Sequence, residues 1–207
     1  MKINKFSNDL PKGIVAKIKD SVAIDTEATG LKIPERDKLS LIQLCDASGN
    51  VYVIQPDRKT YKAPNLVSIL EDEKILKIGH YLRFDKNALE FFLKCKIKNI
   101  FDTKIASKVV RTYTDQHGLK NLVYEFCNKN LDKRAGSSDW NKNINELTDK
   151  QLEYAANDVI YLHKIKNELE KMLKRENRMD LYQNCITFLD TRIALDQSGF
   201  KFDIFEH

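Results

Sequence analysis

The chain has 207 residues, enough for one domain with a sizeable core, and its apolar (42%) and charged (31%) shares are those of a soluble globular protein. No stretch approaches the ~18 apolar residues of a membrane span, and the first ten residues lack the apolar run of a secretory signal. Lys and Arg number 35 against 30 Asp and Glu, a net +5 that permits a phosphate-bearing partner without requiring one. The four cysteines, Cys45, Cys95, Cys127 and Cys185, are widely spaced, with no C-x-x-C pair, and read as reduced thiols of a cytoplasmic protein.

Residues 1–20 read as a short leader holding a brief strand or turn around Pro11-Lys12-Gly13. Ser21 to Thr26 is the first clear strand, followed by a charged loop from Lys32 to Lys38 that contains Pro34. Leu39–Cys45 and Val51–Ile54 are further strands, joined by the turn Asp46-Ala47-Ser48-Gly49-Asn50. Together the three suggest an antiparallel meander. Leu66, Ile69 and Leu70 have helical spacing, Lys74–Gly79 reads as a buried strand, and Phe84–Lys94 as a helix with an Ala88, Leu89, Phe91, Phe92 stripe. Ile97–Asp102 is a fifth strand, and from Thr103 onward the pattern is almost wholly helical. The expected fold is therefore α/β: a mixed sheet of about five strands flanked by helices, with a helical C-terminus, in a single domain over residues 1–207.

Three segments place carboxylates where a solvated face does not explain them well. In Val22-Ala23-Ile24-Asp25-Thr26-Glu27-Ala28-Thr29-Gly30-Leu31, an apolar strand runs into two acids at i and i+2, which share one face. Like charges at the edge of a core repel, and a hard divalent cation between them offsets that repulsion. Asp85 follows Gly79-His80 at the start of a helix, where a plain helix cap is the competing reading. Thr148 and Gln151 form a capping box for a later helix, on which Tyr154 and Asp158 stand one above the other at i and i+4. Trp140 offers a stacking surface for a base but reads more simply as core. Charges of both signs from Lys164 to Arg178 fit a solvated helix face.

D-x-E on a first strand, an Asp after a Gly-His strand end, and Y-x-x-x-D on a late helix resemble the three motifs of the DEDDy exonuclease superfamily. Leu41-Ile42-Gln43-Leu44, Phe101-Asp102-Thr103, Leu131-Asp132-Lys133, Ser138-Asp139-Trp140 and Gln151–Ala155 are similar to the ribonuclease D family, in register from about residue 20 to 170. The run Asp25–Leu31 is similar to oligoribonucleases, and the chain ends before the helical HRDC domain that ribonuclease D carries. A short ribonuclease D-like chain with that run looks like the nano-RNase C family.

The resemblance implies a ribonuclease H-like DEDD fold and a metal-dependent 3′→5′ exoribonuclease that cuts short oligoribonucleotides, dinucleotides especially, to 5′-mononucleotides. Two Mg²⁺ or Mn²⁺ ions about 3.5–4 Å apart would clamp the attacking and leaving oxygens. Asp25, Glu27 and Asp158 are expected at the water-activating ion, with Asp25 bridging to a second ion whose solvent shell Asp85 holds. Tyr154 would orient the attacking water. Leu31 would wedge beside the terminal base, backbone groups of Thr26 and Glu27 would hold the 3′-hydroxyl, and His80, Gln43, Arg83, Arg134 and Ser138 are candidate substrate contacts. A homo-oligomer is also implied. The rivals are a general exonuclease on longer RNA or DNA and an inactive nucleic-acid-binding module.

Overall fold

The computed structural model describes residues 2–33, 35–132, 138–200, 202 and 204–206. Its centre is a six-stranded sheet of order β1-β4-β3-β2-β5-β6, with β1 at Ile3–Ser7, β2 at Ser21–Ala28, β3 at Leu39–Asp46, β4 at Val51–Gln55, β5 at Leu76–Gly79 and β6 at Ile100–Asp102. Strands β2, β3 and β4 form the expected antiparallel meander, while β5 and β6 join β2 in parallel and β1 joins β4 in parallel. The sixth strand, β1, falls in the segment read as a leader. It is an edge strand with Ile3, Asn4 and Phe6 only partly buried and Lys5 and Ser7 exposed, so its own sequence carries little alternation to betray it.

Helices cover both faces of the sheet: α1 at Lys12–Val15, α2 at Pro64–Glu71, α3 at Leu82–Leu93, α4 at Thr103–Val110, α5 at Leu119–Cys127, α6 at Asp149–Ile160, α7 at Leu162–Arg175 and α8 at Met179–Gln197. Strand alternation sorts the core into two. Ala23, Leu41, Cys45 and Val53 face α4 to α7, and Val22, Ile24, Ile42 and Leu44 face α2 and α3. Helix α8 takes part in both, giving Tyr182 and Ile186 to the first core and Leu189 and Ile193 to the second.

Several boundaries shift. Strand β2 runs on to Ala28, so Glu27 lies within it, and its register against β3 slips between Glu27 and Ala28. Helix α3 begins at Leu82, two residues before the expected Phe84, which puts Asp85 inside the first turn and leaves Tyr81 as the cap. Strands β5 and β6 begin later than their apolar runs suggest, at Leu76 and Ile100. None of the described helices is long and apolar enough to cross a membrane.

Candidate active site

The parallel strands β2, β5 and β6 end on the same side of the sheet, the usual place for a site in such folds. Asp25 and Glu27 continue the face set by Ala23, and helix α6 crosses that face. The capping box expected at Thr148 is formed: Gln151 N–H donates to Thr148 Oγ1 at 3.3 Å and Thr148 N–H to Gln151 Oε1 at 3.1 Å. This fixes where α6 starts, and hence which turn reaches the acids. Asp158 arrives with a carboxylate oxygen within 4.8 Å of both Asp25 and Glu27. All donors are oxygens and Asp158 is buried, so the set suits a hard divalent cation, whose charge would offset the mutual repulsion.

Tyr154, one turn earlier on α6, lines the same cleft of about 340 Å³. Burial, followed by the charges of Asp158, Glu27 and Asp25, pushes its phenol well above the ordinary tyrosine range. It therefore stands as a neutral O–H at physiological pH, able to orient a water rather than act as a ready base. Behind it lies Trp140, 4% exposed, with ring centroids 6.0 Å apart, so Trp140 is core and braces the tyrosine.

The opposite wall draws on both layers, and its acid comes from α3. Asp85, buried in the first turn of α3, accepts a 2.5 Å hydrogen bond from the Thr26 hydroxyl. It is therefore not a helix cap but a side chain tied across to β2. Burial raises it to about 7, against the hydrogen bonds from Thr26, which lower it. His80, Tyr81, Phe84, Lys104 and Leu119 complete the lining. The Lys104 ammonium sits 4.1 Å from the centre of the Tyr81 ring, a cation–π contact at the rim.

The loop after β2 explains the rest of the D-x-E-x-T-G-L run. Thr29 Oγ1 accepts from Lys38 N–H at 2.9 Å, and Asp37 accepts from Lys32 N–H at 2.8 Å while pairing with Arg36. A Cβ at Gly30 would overlap the Asp37 carboxylate, so a larger residue would have to displace that side chain from its bonds to Lys32 and Arg36. The closed loop presents Leu31 on the cleft edge, 86% exposed.

The remaining candidates divide. His80 lines the cleft, with Nδ1 2.9 Å from Thr103 Oγ1. Ser138 lies in an adjoining cleft that shares Tyr154. Gln43 is turned inward: it is fully buried on β3 directly opposite Asp25, and neither of its side-chain polar atoms has a hydrogen-bond partner among the described residues. Arg83 is also turned away, its guanidinium making two 2.6 Å bonds to Asp196 of α8. Arg134 and Lys133 lie outside the described residues, as does Pro34. Sequence reasoning passed over Tyr81 and Lys104. The only signal for them was their position beside Gly79-His80 and Phe101-Asp102-Thr103, which matters once β5 and β6 are known to be neighbours.

Comparison with known proteins agrees with this geometry. Residues 6–174 match the profile of a family described as 3′-5′ exonuclease. The solved structure of Brucella melitensis NrnC with bound Mg²⁺ is 44% identical, with a TM-score of 0.91 and all of both chains covered. NrnC bound to pGG superposes with a TM-score of 0.92 at the same identity, over 100% of this chain and 99% of that one. Haemophilus influenzae ribonuclease D is 34% identical over 78% of this chain and 39% of its own length. DNA polymerase I of Aquifex aeolicus is 33% identical over 72% of this chain and 24% of its own. The chain thus spans less than half the length of the curated relatives it matches, and nearly the whole of the NrnC structures. The ribonuclease H-like DEDD fold expected from the motifs is the fold observed, and the chain belongs to the 3′-5′ exonuclease family.

Proposed function

We propose that this chain is a metal-dependent 3′→5′ exoribonuclease that hydrolyses short oligoribonucleotides, dinucleotides above all, to 5′-mononucleotides. The observation that carries this reading is the convergence of Asp25, Glu27 and Asp158 within 4.8 Å, beside Tyr154 and across the cleft from Asp85. NrnC, 44% identical, has been solved with pGG, which supports a substrate of that size. Two Mg²⁺ or Mn²⁺ ions, when bound, would supply an activated water and stabilise the departing 3′-oxygen. Asp25, Glu27 and Asp158 would hold one, and Asp25 with Asp85 the other.

The chain's own groups do the remainder. The Tyr154 hydroxyl orients the attacking water in line with the phosphorus. Leu31 packs on the terminal base, backbone groups of Thr26 and Glu27 hold the 3′-hydroxyl, and His80 meets the base or phosphate beside it. Lys104 adds positive charge at the rim for a phosphate. Exposed Leu181, Phe188, Phe202 and Phe205, with the Phe188 and Phe205 rings 5.7 Å apart, fit a face covered by another copy in a homo-oligomer. Free cysteines, two of them buried, fit a cytoplasmic setting.

The deciding experiment is hydrolysis of 5′-phosphorylated RNA from two to about twenty nucleotides with Mg²⁺ or Mn²⁺, using Asp158→Ala as the blank. Rapid cleavage of dinucleotides with slow attack on longer chains is expected. Equal rates at every length, or on DNA, would point to a general exonuclease, and no cleavage with either metal to a binding module.

A further inference from the structure

The turn from β5 into α3 is held in a costly conformation. Tyr81 has φ 69° and ψ 50°, the left-handed region. For a residue other than glycine this is unfavourable and persists where the surroundings over-determine it. The group that does so is Asp102, completely buried at the end of β6. Its Oδ1 accepts from the backbone N–H of Tyr81 at 3.3 Å, Lys104 at 2.8 Å and Ile105 at 2.9 Å, and its Oδ2 accepts from Leu82 N–H at 2.7 Å. One carboxylate therefore caps α4 and ties down the first turn of α3, about twenty residues earlier. Thr103 extends the tie. Its hydroxyl donates to Gly79 C=O at 3.0 Å, so its oxygen accepts the His80 Nδ1 proton at 2.9 Å. His80, Tyr81, Asp85 and Lys104 all line the cleft, whereas Asp102 and Thr103 do not.

We propose that Asp102 is a positioning residue: by locking the starts of α3 and α4 together, its carboxylate fixes Asp85 at the spacing from Asp25 that a second divalent ion requires. The inference rests on the two-ion reading above. Asparagine has the same shape but only one acceptor oxygen. In Asp102→Asn the amide group must confront either Leu82 N–H or the three N–H groups at Oδ1, donor against donor, and one helix start comes loose.

The test is Mn²⁺ binding by isothermal titration calorimetry with saturating GMP, a 5′-mononucleotide that cannot be hydrolysed further. The wild-type protein is expected to take up two ions. Asp102→Asn is expected to keep the tighter within about twofold and to bind the weaker about tenfold less well, the scale of a lost outer-shell partner. Two ions bound as in the wild type, whatever the melting temperature, would overturn the proposal, because a merely structural role moves stability alone. A wild-type protein that takes up fewer than two ions would overturn the two-ion reading and this inference with it. Should Asp102→Asn fail to fold, hydrogen exchange in the wild type decides, since coupling between sites is reciprocal. Adding Mg²⁺ and GMP is then expected to slow exchange at both Leu82 and Ile105, two of the four amides joined through Asp102, one from each helix start. Slowing confined to Leu82 would sink the idea.

Discussion

Asp25, Glu27, Tyr154 and Asp158 reach the cleft on regular repeats, two residues apart along β2 and four apart along α6. His80, Tyr81, Asp85 and Lys104 reach it from the facing wall through a left-handed turn and the starts of two helices, held by side chains from a different strand. The first wall is positioned by secondary structure itself and inherits its rigidity. The second is positioned by tertiary hydrogen bonds, and its geometry depends on each of them. Damage on the first wall should therefore remove a ligand outright, while damage on the second should move ligands and leave partial function.

The largest effect is expected on the repeat-built wall. Asp158→Ala or Asp25→Ala should abolish hydrolysis, exceeding the ~100-fold cost of disturbing a metal's outer partners, while circular dichroism stays unchanged. A folded Asp158→Ala protein with appreciable activity would collapse the distinction. On the opposite wall, Asp85→Asn should cost about 100-fold in rate and leave the tighter Mn²⁺ site intact. It also sharpens a pH dependence. With its folded pKa raised from 3.8 to about 7, Asp85 contributes stability that is present below pH 4 and lost as pH rises through 7. In EDTA, the melting temperature of the wild type should thus fall between about pH 4 and 7 relative to that of Asp85→Asn. Mg²⁺, by favouring the ionised form, should shrink the difference between the two curves.

Smaller consequences follow at the edges. Leu31→Ala should raise KM for a dinucleotide about tenfold with little change in kcat, because only apolar contact with the base is lost. Gly30→Ala should do the same from a distance by pushing Asp37 and opening the loop. An unchanged KM in both would remove Leu31 from substrate binding. Smallest of all, Arg83→Met should lower stability by about 1 kcal/mol or less, since the pair with Asp196 is partly exposed, and leave KM alone. A raised KM would return Arg83 to the substrate's side.

The same contrast explains what could be read from the sequence. Asp25 with Glu27 and Tyr154 with Asp158 were legible because alternation and helical spacing are local, and Thr148 with Gln151 marked where the helix begins. Asp85 was found, but its bond to Thr26 was not, because 59 residues separate them. Tyr81 and Lys104 were missed for the same reason: nothing near Tyr81 announces that Asp102 will hold it. Gln43 was read as a candidate substrate contact without sight of its burial, because α6, a helix a hundred residues later, covers its side of β3 and leaves no local mark. Strand β1 escaped because an edge strand needs alternation on neither face.

Helix α8 lays Tyr182 and Ile186 against one core and Leu189 and Ile193 against the other, then fastens its end to α3 through Asp196–Arg83 and Gln197–Asn87. It acts as a hasp across the molecule. The two layers cannot come apart independently while it is closed, so heating should give one calorimetric transition rather than two. A single proteolytic nick between Ile186 and Leu189 would open it, leaving each layer free to loosen without the other.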